Sequence, residues 1–155
     1  MAAAALFANA PPSAVSPLEA QPFQALVGKW TCAGTFASSG KPVASVIDIR
    51  LDAATGALVV HHDDLPPNGF HDMELWGPAK GGGFRATIAD SYSGIRWLTS
   101  PGWRDGALEW THSEAGAPVE RFSYAFAGPG KFKLEWFLVR DGQPTLGDSL
   151  LCLNG

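Results

Sequence analysis

Turn-forming residues divide this chain into a succession of short apolar segments, and their spacing limits the folds that it can adopt. Eighteen glycines and twelve prolines among 155 residues fall between these segments and not in one low-complexity block. No interval is long enough for the helical crossover that joins two parallel strands. The spacing predicts about ten antiparallel strands, at 29–37, 43–52, 57–64, 71–77, 83–90, 95–100, 107–112, 118–127, 131–139 and 146–153.

Alternation within the segments predicts that the sheet closes on itself. In the first segment Trp30 and Cys32 alternate with Lys29 and Thr31, and similar alternation recurs in the later segments. One face of each strand is therefore apolar and the other polar. A closed antiparallel sheet buries the apolar face and leaves no exposed edge. We expect an all-β fold, a single up-and-down barrel of about 8–10 strands.

The residues before the first strand predict a short helix. Ser16 followed by Pro17 is typical of a helix start, and Leu18, Pro22 or Phe23, and Leu26 follow at helical spacing. We expect this helix to plug one end of the barrel, so that the domain spans 17–155. Residues 1–16 are interpreted as either a disordered alanine-rich tail or the remnant of a secretory signal segment.

Charge and hydropathy exclude two classes of function. The formal net charge is −4, and the eleven lysines and arginines are dispersed, so the sequence lacks the basic stripe of a nucleic-acid-binding protein. No apolar run approaches the roughly 20 residues of a transmembrane helix. We expect a monomer or homodimer.

Several motifs resemble a known group of barrels. Gly28-Lys29-Trp30, a Gly-x-Trp at the start of the first strand, resembles the signature of lipocalins and their calycin relatives. That resemblance implies that the tryptophan packs across the closed end of the barrel. The combined order of four pieces resembles a bacterial lipocalin-like family of unknown function, which implies no established activity or catalytic residue. These pieces are Leu26 to Gly34, Thr99 to Trp103, Leu108-Glu109-Trp110, and Asp148-Ser149 with Cys152.

The two cysteines lie in the first and last strands. Those strands meet when an up-and-down barrel closes, and Cys32 and Cys152 both share the register of apolar neighbours. A structural disulfide follows, with two buried free thiols or a redox pair as alternatives; no C-x-x-C spacing supports the last. A disulfide favours a periplasmic or secreted protein, and a cytoplasmic location is the alternative.

Histidines and acidic residues cluster around one hairpin. Folding the chain about 65–70 pairs Asp64 with His71 and His62 with Met73. Leu58, Val60, His62 and Asp64 then share the inward face with His71, Met73 and Leu75. A register slip of one residue would change these partners.

This cluster is open to several interpretations. A carboxylate beside an imidazole suits a general base, so His62, Asp64 and His71 are catalytic candidates, with Tyr124 as a proton donor. Two imidazoles with a carboxylate are also suited to a divalent metal, and one histidine to haem iron. Alternatively, the hairpin tip is simply hydrated. We predict neither a metal nor another cofactor, with haem as an alternative.

The aromatic residues predict a ligand cavity. A barrel of about ten strands is wide enough to leave space that side chains do not fill; a core filled by the same aromatic side chains is the alternative. We expect the function to lie near 65–70, opposite Trp30, and to be the binding of a small apolar or aromatic molecule. The alternatives are a cofactor-independent isomerase or cyclase using a His/Asp acid–base pair, and a haem-binding barrel of the nitrobindin type. The predicted ligand-binding residues are Trp97, Trp110, Tyr124, Phe126, Trp136, Met73 and His62.

Overall fold

The computed structural model describes residues 22–112 and 119–155, which form one closed antiparallel barrel. A 3-10 helix, Pro22–Leu26, precedes the strands. The strands are β1 (Gly28–Phe36), β2 (Pro42–Leu51), β3 (Leu58–Asp64), β4 (His71–Pro78), β5 (Phe84–Asp90), β6 (Gly94–Ser100), β7 (Trp103–Arg104), β8 (Ala107–His112), β9 (Val119–Gly128), β10 (Lys131–Arg140) and β11 (Gln143–Asn154).

Ten of these strands make the barrel wall, and the two-residue β7 pairs only with β8. Consecutive strands pair antiparallel, β1 pairs with β11, and β6 pairs with β8 to close the cylinder. The predicted fold class is confirmed. The predicted last strand began too late, because the turn before it consists of Asp141 and Gly142 alone. Both have positive φ, 51° and 74°, as a two-residue hairpin turn requires.

The helix and Trp30 close one end of the barrel, as predicted. Trp30 Nε1 donates a 2.8 Å hydrogen bond to the carbonyl of Leu26. Phe23 packs against Phe84, with ring centroids 4.7 Å apart, and against Trp103 at 6.4 Å. The expected part of this helix before residue 22, and the segment 1–16, lie outside the described residues.

A disulfide joins the first and last strands. Cys32 and Cys152 are direct partners in the β1–β11 register, both are fully buried, and their sulfurs are bonded. Of the three interpretations of the two cysteines, the structural disulfide is therefore the one observed. The bond therefore links the first and last strands of the chain covalently.

The predicted register of the β3–β4 hairpin is wrong by one residue. Asp63 pairs with His71 and His62 with Asp72, because the amide of Asp64 bonds to the carbonyl of Phe70, not to that of His71. A one-residue slip exchanges the two faces of a strand.

The exchange turns a different set of β4 side chains inward. Asp72, Glu74 and Trp76 face the interior, whereas His71, Met73 and Leu75 face outward. The burial of Trp76 explains which face of β4 points inward, since its side chain is 0% exposed. Burying roughly 200 Å² of indole contributes about 5 kcal/mol at 25 cal/mol per Å².

Candidate functional site

The barrel is hollow at the end opposite the helix, where a cavity of about 450 Å³ opens. Its rim includes residues of the β3–β4 loop (65–70) and the β5–β6 turn (91–93). Its lining is Phe36, Val43, His62, Asp64, Pro67, Asn68, Phe70, Asp72, Glu74, Tyr92, Ser93, Arg96, Glu120, Phe122, Tyr124, Leu134, Trp136, Asp148 and Leu150. The cavity thus lies at the predicted end.

Aromatic side chains line one part of the wall and the rim. Phe122 on β9 and Trp136 on β10 are cross-strand partners, and both line the cavity. At the rim the rings of Phe70 and Tyr92 stack with centroids 6.1 Å apart. These rings provide a surface for a flat apolar group.

The floor of the cavity joins a carboxyl group to the aromatic core. Trp76 Nε1 donates a 2.7 Å hydrogen bond to Glu74 Oε2, and the Trp76 ring contacts Trp110 at 5.1 Å and Tyr124 at 5.2 Å. Burial raises the pKa of Glu74, against the opposing effect of the Trp76 hydrogen bond. Burial also raises the pKa of Tyr124 well above its ordinary value, so its hydroxyl stays a hydrogen-bond donor.

Asp72 lies on the wall beside Glu74, opposite His62 on β3 and Asp90 on β5. Burial, followed by the negative charge of Glu74, raises the pKa of Asp72 to about 9, although the Arg96 charge opposes the shift. Its Oδ1 atom is buried and has no hydrogen-bond partner among the described residues. The hydrogen bonds of this carboxyl group to the His62 backbone and to Glu74 leave that one oxygen unpartnered. A neutral carboxyl group with one free oxygen therefore faces the cavity at pH 7.

Arg96 carries a positive charge that the protein itself balances. It is 6% exposed, it forms an ion pair with Asp90, and its Nε lies 3.2 Å from Glu120 Oε2. The other oxygen of Asp90 accepts hydrogen bonds from the amides of Tyr92 and Ser93, at 2.8 and 2.6 Å. This network therefore also holds the β5–β6 turn at the rim.

His62 and Asp64 form a second polar pair on the wall. His62 Nε2 lies 3.4 Å from Asp64 Oδ1, which also accepts a 2.7 Å hydrogen bond from the buried Ser45 hydroxyl. His71 bonds to Asp63 instead, with 2.8 Å between Nδ1 and Oδ1, on the outer surface. Of the four catalytic candidates, His62, Asp64 and Tyr124 line the cavity and His71 does not.

Asp148 on β11 completes the acidic lining. It is the cross-strand partner of Trp136 on one side and Phe36 on the other. Burial raises the pKa of Asp148 from 3.8 to about 6; the positive charge of His62 opposes this shift and the negative charge of Asp64 adds to it. The carboxyl group is thus mostly ionised at pH 7 and mostly neutral at pH 5.

The predicted ligand-binding residues divide into three groups. His62, Tyr124 and Trp136 line the cavity. Trp110 is buried beneath the floor against Trp76. The other three lie outside the cavity: Trp97, 53% exposed, and Met73, 52% exposed, face outward. Phe126, 38% exposed, shares the face of Tyr124 but lies at the helix end of the barrel.

Trp97 faces outward because its neighbour Arg96 faces inward to the ion pairs. Phe126 instead stacks on Trp103, with centroids 4.8 Å apart. The sequence interpretation missed five ionisable residues of the lining, which are Asp72, Glu74, Arg96, Glu120 and Asp148. For Asp72 and Glu74 the sequence offered one signal, which is that they alternate with Trp76 and therefore share its face of the strand.

Comparison with protein-family models and with curated proteins finds no match for this chain. Within 22–112 and 119–155, no helix is long and apolar enough to cross a membrane. In the same ranges no three His, Cys, Asp or Glu side chains are arranged to hold a metal ion. The site must therefore be interpreted from its own geometry.

Proposed function

We propose that this protein is a binding module that encloses a small, partly aromatic molecule in the barrel cavity. The observation that carries the proposal is the cavity of about 450 Å³, which lies within the range of roughly 300–1,000 Å³ typical of small-molecule sites. Aromatic rings line it together with a few polar groups, an arrangement that holds the body of a ligand and orients its polar end.

The polar lining refines the expectation of an apolar ligand. Asp72, Glu74 and Asp148 would remain poorly bonded beside a pure hydrocarbon, which costs free energy for every buried polar group. A molecule with an aromatic body and one polar end satisfies both parts of the lining.

The family and the compartment belong to the same proposal. The closed ten-strand barrel is consistent with a calycin-like fold, which supports the resemblance to bacterial lipocalin-like proteins. The Cys32–Cys152 disulfide supports an oxidising compartment such as the periplasm. A monomer or a homodimer remains the expected state.

A neutral fluorescent probe, N-phenyl-1-naphthylamine, tests the proposal. We expect saturable fluorescence enhancement with one probe per chain. Ser93 lies in the rim turn, so Ser93→Trp should obstruct the entrance and weaken binding at least about tenfold, a loss of about 1.4 kcal/mol. Ala53→Trp adds an indole to an exposed turn at the other end of the barrel and should leave binding unchanged. Absence of saturable binding, or equal binding by both variants, contradicts the proposal.

A second candidate function is a cofactor-independent isomerase or cyclase. It is supported by the His62–Asp64 pair and by Asp72, the cross-strand partner of His62, which together place a base and a protonated acid on one cavity. Mass spectrometry of small ketones and epoxides incubated with the protein tests this candidate. Turnover that His62→Gln abolishes supports it, and conversion equal to that of buffer contradicts it.

The cavity lining fits haem poorly. His62 Nε2 lies beside Asp64 at 3.4 Å, and Asp148, which is mostly ionised at pH 7, lines the cavity and would repel the negatively charged propionates. We therefore propose no haem in this barrel. An absorption spectrum after reconstitution tests this, since a haem-bound protein shows a Soret band.

A further inference from the structure

Carboxyl groups around the cavity outnumber the basic side chains that pair with them. Arg96 is balanced by Asp90 and Glu120, and Asp64 is held by Ser45 and His62. Three more carboxyl groups line the cavity, those of Asp72, Glu74 and Asp148. No ion pair joins these three to a lysine, arginine or histidine in the described part of the chain. The interior therefore contains more acidic groups than the protein itself neutralises.

An unmatched buried carboxyl group is costly, because the charged form loses its hydration and the neutral form needs hydrogen-bond partners. Asp72 shows this cost directly. It is only 9% exposed, it lines the cavity, and its Oδ1 atom has no partner among the described residues. Such an oxygen atom can accept a hydrogen bond from a donor group of a bound ligand.

The aromatic wall adds a second requirement for the same ligand. Phe122 and Trp136 are cross-strand partners that line the cavity. Aromatic faces attract both flat rings and cations within about 6 Å. Carboxyl groups and aromatic rings around one enclosed volume together suit a molecule with a cationic head and an aromatic body.

We propose that the ligand is a small aromatic amine, bound as its ammonium form with the nitrogen at Asp72 and Glu74 and the ring against Phe122 and Trp136. This inference rests on the proposed binding function and names the chemistry of its ligand. The ammonium group donates hydrogen bonds to the carboxyl oxygens and supplies the missing positive charge.

Entry of the ammonium ion has a measurable consequence for protons. In the empty protein burial raises the pKa of Asp72 to about 9, so that Asp72 holds its proton at pH 7, and burial also raises the pKa of the adjacent Glu74. A bound cation favours the ionised pair, so one proton passes from the pair to solvent while the amine keeps its own. The charged groups that face this pair are His62 on β3, Asp90 on β5, Arg96 on β6 and Glu120 on β9; His62 and Asp64 face Asp148.

Calorimetric titration with 2-phenylethylamine and with the neutral, equally shaped 2-phenylethanol tests the inference. We expect the amine to bind the wild-type protein about ten- to a hundredfold more tightly, as one charge-assisted hydrogen-bonded group allows. Repeating the titration in buffers of different ionisation enthalpy should reveal release of up to one proton with the amine and none with the alcohol.

Two variants and one control complete the experiment. The double variant Asp72→Asn/Glu74→Gln should lose the preference for the amine while still binding N-phenyl-1-naphthylamine. Asp148→Asn, a milder change, should reduce the preference in part. Asp141→Asn removes the same charge at an exposed turn and should behave like the wild type.

The outcomes separate the two proposals. If the alcohol binds as tightly as the amine while N-phenyl-1-naphthylamine still binds, the amine inference is overturned and the binding function stands. If neither small molecule nor the neutral probe binds, both proposals fail. Equal proton release by amine and alcohol also contradicts the inference, and this measurement needs no variant.

Discussion

Replacing Asp148 by asparagine should stabilise the protein in a pH-dependent way. Burial raises the pKa of this carboxyl group from its ordinary 3.8 to about 6. The folded protein therefore holds the proton more tightly than the unfolded chain. The free energy of unfolding falls as the pH rises from 3.8, the pKa of this carboxyl group in the unfolded chain, through about 6. Above that range the loss is constant.

The size of the effect follows from the two pKa values. About two pKa units at 1.36 kcal/mol each give a penalty of about 3 kcal/mol at pH 8 and about 0.5 kcal/mol at pH 4. Asparagine has the same shape and no charge, so Asp148→Asn removes the pH-dependent part. We expect the variant to gain about 2 kcal/mol more in stability at pH 8 than at pH 4.

Urea denaturation of both proteins at the two pH values measures this difference directly. Asp141→Asn is the matched control, because it removes a carboxylate from an exposed turn and should change stability by less than about 0.5 kcal/mol. A gain for Asp148→Asn that is equal at pH 4 and pH 8 would refute the reasoning. So would a net loss of stability at pH 8, since Asp148 would then be stabilised by interactions other than those described above.

Two further predictions concern the barrel wall. The disulfide spans 120 residues, and the chain-entropy relation assigns such a loop about 5 kcal/mol. The double variant Cys32→Ser/Cys152→Ser should therefore lower the free energy of unfolding, measured in urea, by up to that amount. A loss below about 1 kcal/mol would contradict a stabilising role. A Cβ atom on Gly147 would lie 2.1 Å from Trp136 Cε3, so Gly147→Ala should push the indole into the cavity. The variant should bind N-phenyl-1-naphthylamine at least about tenfold more weakly. It should also lower the free energy of unfolding by about 1–3 kcal/mol. Gly77→Ala is the control, since its Cβ would meet nothing within 4 Å, and equal effects of the two alanines would contradict this account.

Strand positions were predictable because turn chemistry is local. Glycine and proline mark the turns, and the alternation of Trp30 and Cys32 with polar residues fixes the inward face of β1. The extension of β11 to Gln143 was predictable as well, since Asp141-Gly142 alone makes a two-residue turn.

The register of β4 was not predictable from alternation, because both faces of this strand carry apolar residues. Met73 and Leu75 compete with Trp76 for the interior, and Trp76 is buried. Its burial brings Asp72 and Glu74 inward, against the rule that charged residues face water. The same rule misplaced Trp97, whose neighbour Arg96 is buried in an ion-pair network formed by strands distant in sequence. Apart from the spacing of Asp72 and Glu74 from Trp76, the sequence pattern therefore gave no sign of the acidic character of the cavity.

The central claim is that the cavity above Tyr124 and Glu74 binds a small aromatic molecule. A crystal structure of the protein with 2-phenylethylamine tests it most directly. We predict electron density for the ligand inside the barrel, with its nitrogen within hydrogen-bonding distance of Asp72 and its ring against Phe122 and Trp136. A cavity filled by the protein's own side chains, or a ligand bound only on the outer surface, would contradict the account.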